Sequence, residues 1–252
     1  MADLAPYART TVRLRPRRGA PGIRESHIGG PLWWPADESW PDCAEHKDIN
    51  GRPQGPYPLV PVAQLTAADF PEAPFPAGTD LVQLLWCPEW HDQPHPEGWG
   101  QLCRLVWRRG SDLTEPLSPA DQPDPEDHWV YEQDMVPRAC VLRPERAVEY
   151  PWIEELPDTL REQLDEDRYR DNSVLAGCKL GGGMGWATTD MPLSLECGDC
   201  GQPLSLFLQF DSYEDADGED REPTGMTVGR GGHAGLFLCS ADPTHPPSFF
   251  TQ

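Results

Sequence analysis

Long apolar runs are missing from this 252-residue chain: none approaches the roughly 18 to 20 residues that a helix needs to span a bilayer. The opening stretch "MADLAPYARTTVRLRPRR" also lacks the apolar centre of a secretory signal, so a cytoplasmic location is expected. Basic residues are scarce. Twenty Lys and Arg face 42 Asp and Glu, a formal charge of −22. Such a field repels phosphate backbones and anionic headgroups, which argues against nucleic acid and membrane as partners. Hydrophobic residues make up only 38% of the chain, while 30 prolines and 23 glycines break helices often enough to argue against a helical bundle. The common catalytic signatures are absent as well: there is no GxSxG elbow, HExxH pair or Walker loop. "LGGGMG" has neither the GxGxxG spacing nor a helix after it, and reads as a turn where backbones pack closely.

What is present reads as strands. "ARTTVRLRPRR" alternates Arg or Thr with apolar residues, the period of a half-exposed strand, and its Arg13, Arg15, Arg17 and Arg18 are expected to pair with the protein's own carboxylates. "PLVPVAQL", "TDLVQLLWC", "QLCRLVWRR" and "RACVLRPERAVEYPWI" are further strand candidates. One helix is predicted over "PDTLREQLDEDRY", with Pro157 at its start and Leu160 and Leu164 on one face. Two acidic stretches, 111–128 and 211–225, read as solvated loops, the second joining two strands of a hairpin.

The chain also says almost the same thing twice. "HIGGPLWW" at 27–34 matches "KLGGGMGW" at 179–186, aligning Gly29-Gly30 with Gly181-Gly182 and Trp34 with Trp186. A ligand pair follows each: Cys43 and His46 in "CAEH", Cys197 and Cys200 in "CGDC". Then comes a strand starting Pro-Leu with a glutamine seventh, Gln64 or Gln209, and a further strand ending in cysteine, Cys87 or Cys239, with His91 or His245 soon after. A period of roughly 150 residues is too long for a solenoid. The expected fold is therefore α+β, mostly antiparallel β and duplicated, with two similar β-rich subdomains related by pseudo-twofold symmetry. The organisation expected is a first repeat over 1–110, a connecting region over 111–176 and a second repeat over 177–252.

Zinc takes four soft or borderline ligands, commonly two from a tight turn and two from a distant segment. The second repeat offers Cys197, Cys200, Cys239 and His245; the first offers Cys43, His46, Cys87 and His91, with His95 competing for the last place. A CxxC can instead be a redox pair, or a pair of buried thiols without metal. Cys103, Cys140 and Cys178 stand singly in apolar surroundings and read as small core residues. Gln64 and Gln209 need partners if buried, and the structural expectation is an amide that fixes a loop. The ten tryptophans read by default as an aromatic core, with Trp33, Trp34 and Trp40, set among prolines, the ones most readily exposed as a binding face.

"GGPLWWP", "PLVPVAQL" and "DLVQLLWCP" in the first half, with "KLGG", "CGDCGQPLSLFLQF" and "GLFLC" in the second, resemble the YwqG-like family, a bacterial domain of unknown function. The second half is also similar to the metal-associated domain of the eukaryotic programmed-cell-death-2 proteins. The resemblance covers most of residues 27–110 and 177–252 and implies a duplicated α+β fold. For the eukaryotic relatives it implies a dedicated chaperone role for a ribosomal protein. The first half departs from the pattern with CxxH in place of CxxC.

These observations lead to a non-enzymatic, zinc-stabilised protein-binding module, chaperone or adaptor, for a basic or extended polypeptide partner. Two alternatives stand beside it. One is a metal-dependent hydrolase using His91, Asp92 and His95 with Glu89 as base; the other is an immunity protein for a neighbouring toxin.

Overall fold

The computed structural model describes residues 3–45, 55–92, 98–125, 133–214 and 220–252. In chain order the strands of the first half are β1 (Arg9–Arg13), β2 (Arg17–Arg18), β3 (His27–Ile28), β4 (Asp42–Cys43), β5 (Tyr57–Pro58), β6 (Val60–Thr66), β7 (Leu81–Asp92) and β8 (Trp99–Arg108). Those of the second are β9 (Cys140–Val141), β10 (Glu145–Glu149), β11 (Lys179–Gly181), β12 (Leu204–Asp211), β13 (His233–Cys239) and β14 (Ser248–Thr251). Among the described residues they form two six-stranded antiparallel sheets, ordered β2-β9-β3-β6-β7-β8 and β10-β1-β11-β12-β13-β14, and a small pair β4-β5. The fold is mostly antiparallel β with few short helices, as the duplication leads one to expect.

Strand for strand the two orders match. β3 corresponds to β11, β6 to β12, β7 to β13 and β8 to β14. Even the irregularities repeat: the ladder slips by one residue at Val62 between β6 and β7 and at Phe207 between β12 and β13. The outer strands are exchanged between the lobes. β1 comes from the start of the chain but pairs with β11 and β10, whereas β9, from the middle, pairs with β3 and β2.

Alternation along the strands sorts side chains into a shared core and two satellites. Val82, Leu84 and Trp86 of β7 enter the same core as Leu236 and Leu238 of β13, and Trp86 meets Phe210 and Phe249 edge-on at 5.2 and 5.7 Å. The intervening residues point the other way. Leu85 and Cys87 join Leu32, Trp34, Cys43 and Leu59, while Phe237 and Cys239 join Met184, Trp186, Cys197 and Leu204. Corresponding residues thus recur in the two satellites, Cys43 and Cys87 in one and Cys197 and Cys239 in the other. Cys140 and Cys178 are core residues and Cys103 packs against the core.

The glycine pairs do the same job twice. All four have positive φ, between 63° and 79°. A side chain at Gly29 would overlap the Arg138 carbonyl, and one at Gly182 would overlap the Glu149 carboxylate, so both turns require the missing Cβ. The single predicted helix is two short ones, α1 (Asp158–Arg161) and α2 (Glu166–Ser173), because the Asp165 side chain caps a new start by accepting from Arg168 N. Of the four arginines expected to find carboxylates, Arg15 pairs with Glu145 and Arg18 with Asp220 among the described residues, and Arg9 adds a pair with Glu155. The default reading of the tryptophans as core holds even at Trp34, which is fully buried, because Trp40 packs on its ring and the Arg108 guanidinium lies 4.5 Å from the ring centre.

Candidate metal centres

The second cluster is built on a tight turn. Cys197 N donates to Gln202 O at 2.7 Å and Gly201 N donates back to Cys197 O at 2.8 Å, with Gly201 at φ +69°. This turn carries Cys197 and Cys200 beside the end of β13, where Cys239 pairs with Leu204. The next loop returns His245, whose N–H donates to Asp242 O. Its Nδ1 stands 3.4 Å from Cys197 Sγ, and Cys200 Sγ stands 3.4 Å from Cys239 Sγ. All four donor atoms lie within 4.8 Å of one another. Ligand atoms around a tetrahedral zinc are separated by roughly 3.4 to 3.8 Å, given metal bonds of about 2.0 to 2.3 Å. On the far side of the ring, Nε2 of His245 faces Asp242 Oδ2 at 3.7 Å, and that carboxylate is fixed by Thr244 N and Oγ1. A carboxylate behind a ligating imidazole sets its tautomer and orientation.

The first cluster repeats the plan with one position undetermined. Cys43 closes β4, and Cys87 lies in β7. β7 then breaks register with β8 between Cys87 and Trp90, and this bulge turns His91 back toward the cysteines. His91 Nε2 stands 3.6 Å from Cys43 Sγ, and its Nδ1 faces Glu45 at 3.7 Å, the same carboxylate-behind-imidazole arrangement. Cys43, Cys87 and His91 are mutually within 4.8 Å. His46 and His95 lie outside the described residues.

The Cys87 thiol donates to Cys43, which, against the effect of burial and with help from His91, lowers the Cys43 pKa to about 4. Cys87 is pushed up correspondingly, by its bond to Cys43 and by burial, and His91 is raised by the adjoining sulfur. At Cys239 burial acts upward, yet the backbone N–H groups of Asp242 and Ala241, with Cys200 and His245, bring the thiol down to about 6. His245 is raised by Cys197 and Cys239. Each cluster therefore concentrates negative sulfur against an imidazole, the electrostatic setting that a soft divalent cation would complete.

Gln64 is the most fully satisfied amide of the first lobe. Its Oε1 accepts from Trp33 N and Gln83 Nε2, and its Nε2 donates to the carbonyls of Ile23 and Glu25. Gln209 Nε2 donates to Gly177 O. Both tie down loops, as a buried amide should. Sequence reasoning passed over Gln83 and Arg108, which extend the first network: Arg108 Nε donates to Gln83 Oε1, and its two terminal nitrogens grip Glu38 at 2.7 and 2.8 Å. It also passed over the fully buried pair Lys179 and Glu149, joined at 2.7 and 2.9 Å. A lysine preceding Leu-Gly-Gly, where the other repeat has histidine, was the available signal.

No family model matches the chain, and no curated protein matches it. Among the described residues, no helix is long and apolar enough to cross a membrane.

Proposed function

We propose that this protein is a non-enzymatic binding module, stabilised by zinc at one or both clusters, for a basic or extended polypeptide, acting as a chaperone or adaptor. The observation that carries this reading is the four-donor set of the second cluster. Three sulfurs and an imidazole fill a tetrahedral shell, leaving no position for substrate or activated water, so the metal's role is to hold the turn, β13 and the 239–245 loop together. Work on other molecules then falls to the surface, and 42 acidic against 20 basic side chains favour cationic partners and speed their encounter. Strand β10 lies at the end of its sheet with Val148 60% exposed, a place where an extended segment can add. Membership of the YwqG-like family, with the chaperone role of its eukaryotic relatives, belongs to the same proposal.

Titration calorimetry against polylysine tests the reading. The expected result is saturable binding at low salt that weakens by about tenfold or more as salt is raised from 50 to 200 mM, in line with screening. Absence of binding at 50 mM salt overturns the reading. Metal analysis of protein purified without chelators tests the stabilising role, with one or two zinc ions per chain expected.

A further inference from the structure

Beside the second satellite core lies a cavity of about 910 Å3, bordered by Trp186, Gln209, Asp211, His233 and Asp190. It sits where the first lobe keeps its Arg108 network, and the correspondence is residue by residue. Trp34 aligns with Trp186, and the same offset of 152 places Glu38 on Asp190. Gln64 faces Gln83 across the ladder and Gln209 faces Gly235; Leu81 faces Arg108, and the equivalent His233 accepts through its carbonyl from Gln252 N. Arg108 is thus replaced by Gln252.

In the first lobe the guanidinium is supplied by the chain itself. It lies over Trp34, is gripped at both ends by Glu38, and is anchored through Gln83 to Gln64. In the second lobe the ring, a shorter acid and the inner glutamine Gln209 are retained, Gln83 gives way to Gly235, and the cation is absent. Gln252 turns instead to Thr188 and Thr189, accepting from both backbone N–H groups. Asp190 is exposed and has no ion-pair partner among the described residues. Gln209 is 2% exposed, and its Oε1, whose counterpart on Gln64 takes two bonds, has no donor among the described residues. His233 must donate through Nε2, because it meets the Gly185 carbonyl at 2.9 Å. Other walls of the cavity add Asp167 and Asp171, against the single Arg170, which is already paired with Glu154 and Glu166.

We propose that this cavity takes the guanidinium of an arginine side chain from a partner polypeptide, stacked on Trp186 and paired with Asp190, as Arg108 is held in the first lobe. The proposal deepens the binding-module reading and rests on it. A planar fork suits an aromatic face and a carboxylate together, which the compact ammonium of lysine does not.

The test is NMR titration of the full chain with capped Gly-Arg-Gly, its lysine and citrulline counterparts, and free arginine. The arginine peptide is expected to shift the Trp186 indole and His233 signals. Citrulline, isosteric but neutral, should bind about tenfold more weakly or not at all, and lysine should fall between. Free arginine brings its own carboxylate to an acidic rim and should be weaker than the capped peptide. Asp190→Asn removes the exposed acid and should weaken the peptide about tenfold. Gln252→Arg restores the first lobe's self-supplied cation and should block the peptide while the fold is kept. Equal binding of arginine and citrulline peptides, or unchanged binding in both variants, overturns the assignment. Equally tight free arginine overturns the polypeptide source. Polylysine binding by the wild type together with no response to Gly-Arg-Gly overturns this inference and leaves the general reading standing; no response to either probe overturns both.

Discussion

His27 and Lys179 occupy the same place in the two lobes, on β3 and β11, each shortly before a glycine pair, yet they meet different surroundings. Lys179 is fully buried against Glu149, which also accepts from Gly183 N and Leu175 N. Burial pulls the lysine pKa down, and the charge and hydrogen bond of Glu149 oppose that pull. In the first lobe the position that packs on the second glycine of the pair is Pro21 rather than Glu149. His27, also fully buried, has its pKa lowered to about 4 by burial, with the backbone at Gly29 and Pro31 and the charge of Glu25 opposing. Lysine with glutamate and histidine with proline are two solutions to one site, and a mixture would strand a charge. The same logic governs the outer faces, where the first lobe encloses Arg108 and the second leaves its counterpart cavity open.

The comparison can be broken most severely at the cysteine–histidine clusters. Structural zinc contributes on the order of 10 kcal/mol, comparable to a domain's whole net stability, so chelation is expected to abolish the cooperative melting transition. Cys197→Ser should lower bound zinc by one ion per chain, as should Cys43→Ser if the first cluster is equally complete; metal content read beside melting curves ranks the two lobes.

Next in size is the buried ion pair. Lys179→Met leaves Glu149 buried without its counter-charge and should cost about 3 to 5 kcal/mol in denaturant titration. Adding Glu149→Gln should recover part of that loss, since the unpaired charge disappears. His27→Leu, at the matched site, should be far milder.

The third effect is a pH dependence carried by His27, with His233 of the second lobe, also lowered by burial, acting in the same direction. The folded state holds His27 neutral down to about pH 4, whereas the unfolded chain protonates near the ordinary value of 6.5. Stability from this residue is complete above about pH 6.5 and drains away as pH falls toward 4, by about 3 kcal/mol in all. His27→Leu should flatten that part of the profile, measured on metal-saturated protein to separate it from ligand protonation. The smallest effect is expected at Arg108→Met. It leaves Gln83 Oε1 without its donor and Glu38, which Arg108 holds below the usual carboxylate range, without its partner, at a cost of about 1 to 3 kcal/mol.

The repeat, the strand character and the two ligand groups were all legible in the sequence, because each is a local pattern: alternation along "TDLVQLLWC", a glycine pair, cysteines three apart. The exchange of β1 and β9 was not. "ARTTVRLRPRR" announces a strand without announcing which sheet receives it, and its neighbour in the chain is not its neighbour in space. Nor does pattern reveal that Arg108 folds back over Trp34, since an arginine at the end of a strand is ordinary until the acid and the amide around it are seen. Three of the four ligands assigned to the first cluster come together; the fourth, His46, falls outside the described residues.

The crossing of the outer strands limits the order in which the chain can assemble. As a ribosome releases it, β3 through β8 emerge while β9, which must cover the flank of β3, is still unmade, and β1 waits for β11, about 170 positions later. Until then the early half holds an open flank that invites foreign strands. A gene cut at its midpoint would give two fragments, each lacking a piece carried by the other, and only their mixture should yield a stable particle.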